Sequence, residues 1–203
     1  MSLLFETIKC QNRQLYNTFY HNQRVSRTLE NLFGIVGDFD FGNNIKIPDW
    51  VGEGLHRCRV SYGEEISKVE FFEYEFKHPK IIQIDEYQSF RYGFKYEDRS
   101  GFQNLLKLYP FADDVIITQN GLLTDATYAN LAFFDGTKWF TPNSYLLLGT
   151  KREYLLDNQL LIEEEIAIND LKKFKRISFI NAMRDLDLSY EFEVNNNVIS
   201  IKS

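Results

Sequence analysis

Lys95 stands in the segment Tyr92-Gly93-Phe94-Lys95-Tyr96-Glu97-Asp98-Arg99, where Phe94, Tyr96 and nearby Phe90 supply an apolar setting. A lysine amine attacks an aldehyde only when unprotonated, and burial among apolar neighbours favours that form by disfavouring the ammonium ion. The competing reading is an ordinary solvated lysine. Further on, Gly149-Thr150-Lys151-Arg152 precedes a helical pattern carrying Tyr154, Leu155 and Leu156. The open N–H groups at a helix start, together with the helix dipole, favour an anion without any side chain. Gly149 also reads as a plain loop glycine. Arg24 brings a permanent charge on forked donors that suits a phosphate, or is a solvated helix residue. Asp125 reads locally as a turn or cap residue after Thr124, Arg99 as the surface partner of Asp98 or Glu97, and Asn181 as a turn former at a strand end.

The elements that must hold these residues follow from periodicity and turn chemistry. An extended segment from Leu3 to Cys10 turns back at Gln11-Asn12-Arg13. Val25, Leu29, Leu32 and Phe33 recur at helical spacing, which predicts a helix over 18–33, capped by Asn17 and stopped at Gly34. Strands are predicted over 55–62, over 66–76 with one solvated face, and over 80–84, the last closing a first unit. Phe102, Leu105, Leu106 and Tyr109 predict a helix ending at Pro110. Asn120-Gly121 between two apolar runs is a hairpin signal, because both turn positions need positive φ. Asp135-Gly136 makes a second reversal, and Arg176 to Ile180 a late strand.

Composition excludes several classes. The 203 residues, 44% hydrophobic, suffice for a real core in one domain or two compact ones. A net charge of −6 without a basic stripe argues against a nucleic-acid partner. No apolar run approaches the thickness of a bilayer, and the N-terminus meets Glu6 too early for a signal peptide, so a cytoplasmic protein without membrane partners is expected. Cys10 and Cys58 fit neither a disulfide framework nor a zinc site and read as buried thiols. His56 and His78 lack partners at metal-ligand spacing, so no metal is expected. Glu163-Glu164-Glu165 reads as a solvated run.

Taken in order, the Lys95 segment, the run Leu123-Thr124-Asp125-Ala126-Thr127-Tyr128-Ala129-Asn130-Leu131 and Leu148-Gly149-Thr150-Lys151-Arg152 resemble the class IV aminotransferases, the fold-type-IV enzymes of pyridoxal 5'-phosphate (PLP). Tyr20-His21-Asn22-Gln23-Arg24 is similar to the family's H-x-x-R element, and Phe179-Ile180-Asn181-Ala182-Met183-Arg184 to a further phosphate element. The resemblance implies a role for each position. Lys95 would hold the cofactor aldehyde and act as catalytic base, and Arg99 would lie near the phenolate oxygen. Asp125 would pair with the ring nitrogen, where most relatives carry Glu. Arg24, Gly149, Thr150, Lys151 and Asn181 would bind the phosphate, while His21 is expected to pack or cap.

The fold implied is α/β, a mixture of α and β elements in two compact domains with the cofactor in the cleft between them: a smaller N-terminal domain over 1–84 and a larger PLP-binding domain over 85–203. Family members form homodimers and act on small-molecule amines. Among them this chain looks most like a short 4-amino-4-deoxychorismate lyase, which forms 4-aminobenzoate and pyruvate. Two alternatives stand beside it: an aminotransferase for branched-chain or D-amino acids, and an inactive PLP-fold binding module. Phe5-Glu6-Thr7-Ile8 comes almost at the start, whereas longer members have an extra strand before it, so the residues lining the substrate pocket do not carry over.

Overall fold

The structure, a computed structural model, describes residues 4–202. It divides into two compact units. The first runs to Phe76 and takes in Phe94–Asp98; the second comprises Lys77–Gly93 and the residues from Arg99 onward.

The first unit contains β1 (Leu4–Gln11), β2 (Gln14–Leu15), α1 (Thr18–Phe33), α2 (Phe41–Asn44), β3 (His56–Tyr62) and β4 (Ile66–Glu73). Its strands lie antiparallel in the order β2-β1-β3-β4. Leu3 lies outside the described residues, and the strand expected from it is described from Leu4. Alternation along the strands sends Leu4, Ile8, Cys10, Cys58, Val60 and Tyr62 to one face, where Val25 and Leu29 of α1 complete a core. Burying each of these two helix residues contributes roughly 1.5–3 kcal/mol. Both cysteines are buried free thiols. Gly34 ends α1 as expected, in the left-handed region with φ 69° and its N–H on the Glu30 carbonyl. Asn17 corrects an expectation: it enters the helix at φ 60° and makes no side-chain cap, contributing a left-handed backbone that Asn tolerates.

Phe5, Thr7, Arg59 and Ser61 fall on the other face of this sheet by the same alternation. Residues 94–98 join it along β1: Leu4 bridges Tyr96, and the Phe5 N–H donates to the Lys95 carbonyl at 2.9 Å. Lys95 and Glu97 therefore share the face of Phe5.

The second unit contains β5 (Ile81–Glu86), α3 (Ser100–Leu108), β6 (Asp114–Gln119), β7 (Leu122–Ala126), β8 (Asn130–Phe134), β9 (Trp139–Pro142), α4 (Thr150–Asp157), β10 (Ile162–Glu164), a 3-10 helix (Ile168–Lys173), β11 (Arg176–Ile180), β12 (Ser189–Asn195) and β13 (Val198–Ile201). Among the described residues its strands run in the order β10-β9-β8-β11-β12-β13-β5-β6-β7, and β7 also pairs with β8. That last pairing, Asp125 opposite Asn130, closes the sheet on itself. Ile82, Ile84, Ile116, Leu123, Leu131, Phe133, Ile177, Phe179 and Ile199 are fully buried in its main core. β5, expected to close the first unit, belongs here: it pairs in parallel with β6 and antiparallel with β13. Its partners lie far along the chain, so a local pattern cannot assign it to a sheet. The Asn120-Gly121 hairpin is as expected, with φ of 53° and 75°.

Candidate functional site

In the first unit the chemistry gathers on two faces of β1. Glu6 lies on the core face with no exposure, and α1 brings His21 and Arg24 against it. Arg24 Nε donates to Oε1 at 2.9 Å, Arg24 Nη2 to Oε2, and His21 Nδ1 lies 2.6 Å from Oε2. Burial raises the Glu6 carboxyl, but Arg24 and His21 outweigh it and hold the group at about 2. Burial lowers His21, with Glu6 opposing, so a neutral imidazole donates Nδ1–H to a carboxylate. Arg24, expected as a phosphate cation, thus commits one edge of its fork to Glu6. The cluster offers a phosphate hydrogen-bond donors with no net positive charge. His21 packs, as expected. On the other face the Lys95 ammonium position lies 4.7 Å from the Phe5 ring centroid, in cation-π geometry.

In the second unit the candidates converge on the turn between β7 and β8. Arg99 Nη2 donates to the Thr127 carbonyl and Nη1 to the Tyr92 hydroxyl at 3.2 Å, with the guanidinium 4.5 Å over the Phe102 ring. The surface pairing with Asp98 or Glu97 is therefore not where its charge goes. Asn181 Nδ2 donates to the Tyr128 carbonyl at 3.2 Å, and its Oδ1 accepts the Met183 N–H at 2.9 Å. Asn130 Nδ2 donates to Asp125 Oδ1 at 2.7 Å and to the Leu147 carbonyl at 2.9 Å. A Cβ on Gly149 would overlap that same Asn130 amide, so any other residue there requires the Asn130 side chain to move. One turn thus touches Arg99, Asn181 and the approach to α4.

Asp125 is buried, and its Oδ2 accepts the N–H groups of Leu146 at 3.0 Å and Leu147 at 2.9 Å. Burial raises its carboxyl to about 6, against the lowering by these N–H groups and Asn130. A carboxylate has about four acceptor positions, and the three donors leave Oδ1 room for one more. That arrangement fits a ring N–H. At α4, Gly149 makes no side-chain cap, and the helix start presents its first-turn N–H groups and the positive end of its dipole together. This start fits a phosphate. The Lys151 side chain is engaged elsewhere, its Nζ pairing with Asp185 at 2.6 Å.

Several residues carry more than the sequence reading assigned. Glu6 could have been found as a carboxylate in the apolar stripe Leu4, Ile8, Cys10, a position that demands a buried cation. Asp114 is nearly fully buried, with Oδ1 accepting Thr127 Oγ1 at 2.5 Å and Val115 N–H at 2.8 Å, and burial raises it to about 6. Nothing local distinguishes it from its neighbour Asp113. Glu163, Glu164 and Glu165 are exposed, as the solvated-run reading expects, and Glu163 in addition accepts from the buried Arg152. Among the described residues no group of three His, Cys, Asp or Glu side chains is placed to hold a metal ion.

Comparison with known proteins now adds to this geometry. The profile of the family Amino-transferase class IV matches residues 110–186. An uncharacterized protein of Haemophilus influenzae is 36% identical over 185 residues, which span 90% of this chain and 98% of that one. A solved protein of Haemophilus somnus 129pt, provisionally named a 4-amino-4-deoxychorismate lyase, is 32% identical, with a TM-score of 0.84 over 92% of this chain and 98% of its own. A hypothetical aminotransferase of Mycobacterium tuberculosis, solved in a PLP-bound form, shares the fold at 14% identity, with a TM-score of 0.68 over 90% of this chain and 78% of its own. Near-complete coverage of the Haemophilus somnus protein at 32% identity and the family profile over the β7–β8 turn and α4 converge: the chain belongs to the class IV aminotransferase family and is an enzyme of the PLP-dependent type.

Proposed function

We propose that this protein is a 4-amino-4-deoxychorismate lyase that binds PLP and forms 4-aminobenzoate and pyruvate from a small-molecule amine. The similarity to the Haemophilus somnus protein over nearly the full length of both chains carries this reading. Bound PLP supplies an aldehyde for the substrate amine and an electron-accepting ring. Lys95 Nζ would hold the aldehyde and would serve as the base for the proton on the amine-bearing carbon of the substrate. Asp125 would pair with the ring nitrogen and favour its protonated form. The start of α4 at Gly149, Thr150 and Lys151 binds the phosphate, with Arg24 and Asn181 assigned to the same group and Arg99 to the phenolate. Removal of the substrate proton prepares the loss of pyruvate and aromatisation to 4-aminobenzoate. A homodimer in the cytoplasm completes the proposal; in keeping with that location, no described helix is long and apolar enough to cross a membrane.

The deciding experiment incubates the PLP-treated protein with 4-amino-4-deoxychorismate, and separately with L- and D-amino acids plus 2-oxoglutarate. Equal amounts of pyruvate and 4-aminobenzoate without an added keto acid are expected, since elimination regenerates the aldehyde each cycle. Keto-acid-dependent amino transfer without 4-aminobenzoate would make the protein an aminotransferase. Silence on every substrate, with cofactor attached to Lys95, would support a binding module.

A further inference from the structure

Phe5 is flanked by two cations. Lys95 Nζ lies 4.7 Å from its ring centroid and the Arg59 guanidinium carbon 4.0 Å. The register explains the meeting: Phe5 pairs with Ser61 and Thr7 with Arg59, so Arg59 is the diagonal neighbour of Phe5 on the face that α1 does not cover. Glu97, on the same face, accepts from the Ser61 hydroxyl. Among the described residues the one hydrogen bond of the Arg59 guanidinium is to Glu97, at the outer limit of 3.5 Å. The side chain stays 31% exposed. A fork with spare donors, held 4.0 Å from the centre of a ring that also carries the reacting lysine, is preorganised for a planar anion. A phosphate-sized role is less suited to it, because Glu97 stands close by and a second full charge on the ligand would meet that carboxylate.

We infer that Arg59 receives a carboxylate of the amine substrate and so sets the enzyme's preference for amines that bear one. This inference rests on Lys95 being the reacting lysine. It assigns the first unit two tasks on one face, amine chemistry at Lys95 and substrate anchoring at Arg59, both against the Phe5 ring.

The test uses pyruvate, a carboxylate common to elimination and amino transfer, and its neutral amide. In the PLP-treated protein, phenylglyoxal labelling of Arg59, mapped by mass spectrometry, should slow about fivefold with pyruvate and less than about twofold with pyruvamide. Arg59→Gln should weaken pyruvate binding, read by saturation-transfer NMR, about tenfold, with Arg59→Lys intermediate because an ammonium lacks the fork. Equal protection by the two ligands, or unchanged pyruvate binding in Arg59→Gln, would overturn the assignment. If Arg59→Gln fails to fold, the labelling of the native chain decides. Borohydride attachment of PLP to Lys95 is scored in the same samples. Protection of Arg59 without cofactor on Lys95 would sink the catalytic reading and leave the anion site standing; cofactor on Lys95 with Arg59 unprotected would do the reverse.

Discussion

At the scale of single residues, Lys95 and Asp125 divide the proposed chemistry, and each has its own signature. Borohydride treatment should fix PLP on Lys95, and Lys95→Ala should lose both attachment and turnover; an adduct mapped to another lysine would move the centre of the site. Asp125 must be ionised to hold a proton on the ring nitrogen, and burial lifts its carboxyl to about 6. Turnover should therefore rise with pH through about 6. Asp125→Asn should keep PLP bound but run about 100-fold slower, without that rise, since an amide cannot hold the ring proton electrostatically. Unchanged kcat in this variant, measured from pH 5 to 8, would take Asp125 out of the site. Arg24 behaves differently. Its pairing with Glu6 makes it a contact for uniform binding at most, so Arg24→Ala should raise the PLP concentration needed for half-saturation while saturating PLP restores most of kcat.

At the scale of elements, the turn between β7 and β8 decides where the second unit's candidates stand. Gly149→Ala would drive a methyl into the Asn130 amide and break its bonds to Asp125 and Leu147. PLP affinity, followed by absorbance titration, should fall about tenfold, and stability by about 1–3 kcal/mol. Asn130→Ala makes room for that methyl, so the double variant should be little worse than Asn130→Ala alone. Additive losses would show that the close approach is not the cause. Local signals revealed much of this level: helical spacing with a terminal Gly34 marked α1, Asn120-Gly121 marked the hairpin, and Gly149 marked the start of α4. Partners distant in the chain were not legible. β5 reads as a strand anywhere, and its place follows only from pairing with β6 and β13. Asn130 acquires its role once β8 is set opposite Asp125, and Arg59 looks like any solvated strand arginine until Phe5 is laid beside it.

At the scale of the whole molecule, buried carboxylates pull stability in opposite directions across the pH range. Glu6, depressed to about 2, contributes stability that is present above its unfolded value and lost as pH falls through its folded one. Asp114 and Asp125 do the reverse. Their folded carboxyls stand at about 6, above an unfolded value of about 3.9. Between those values the native state binds more protons than the unfolded chain, so stability falls as pH rises through the window. For Asp114 the difference amounts to about 2–3 kcal/mol by pH 7. Its Oδ2 is buried without a hydrogen-bond partner, so the charged form has little to compensate it there. Asp114→Asn retains an acceptor for Thr127 and removes the charge. Urea unfolding at pH 4, 5.5 and 7 should show the variant close to the native chain at pH 4 and progressively more stable than it toward pH 7. A difference that stays flat with pH would mean that Asp114 is already compensated when ionised, and that the Thr127 turn is held by a carboxylate the fold tolerates without cost.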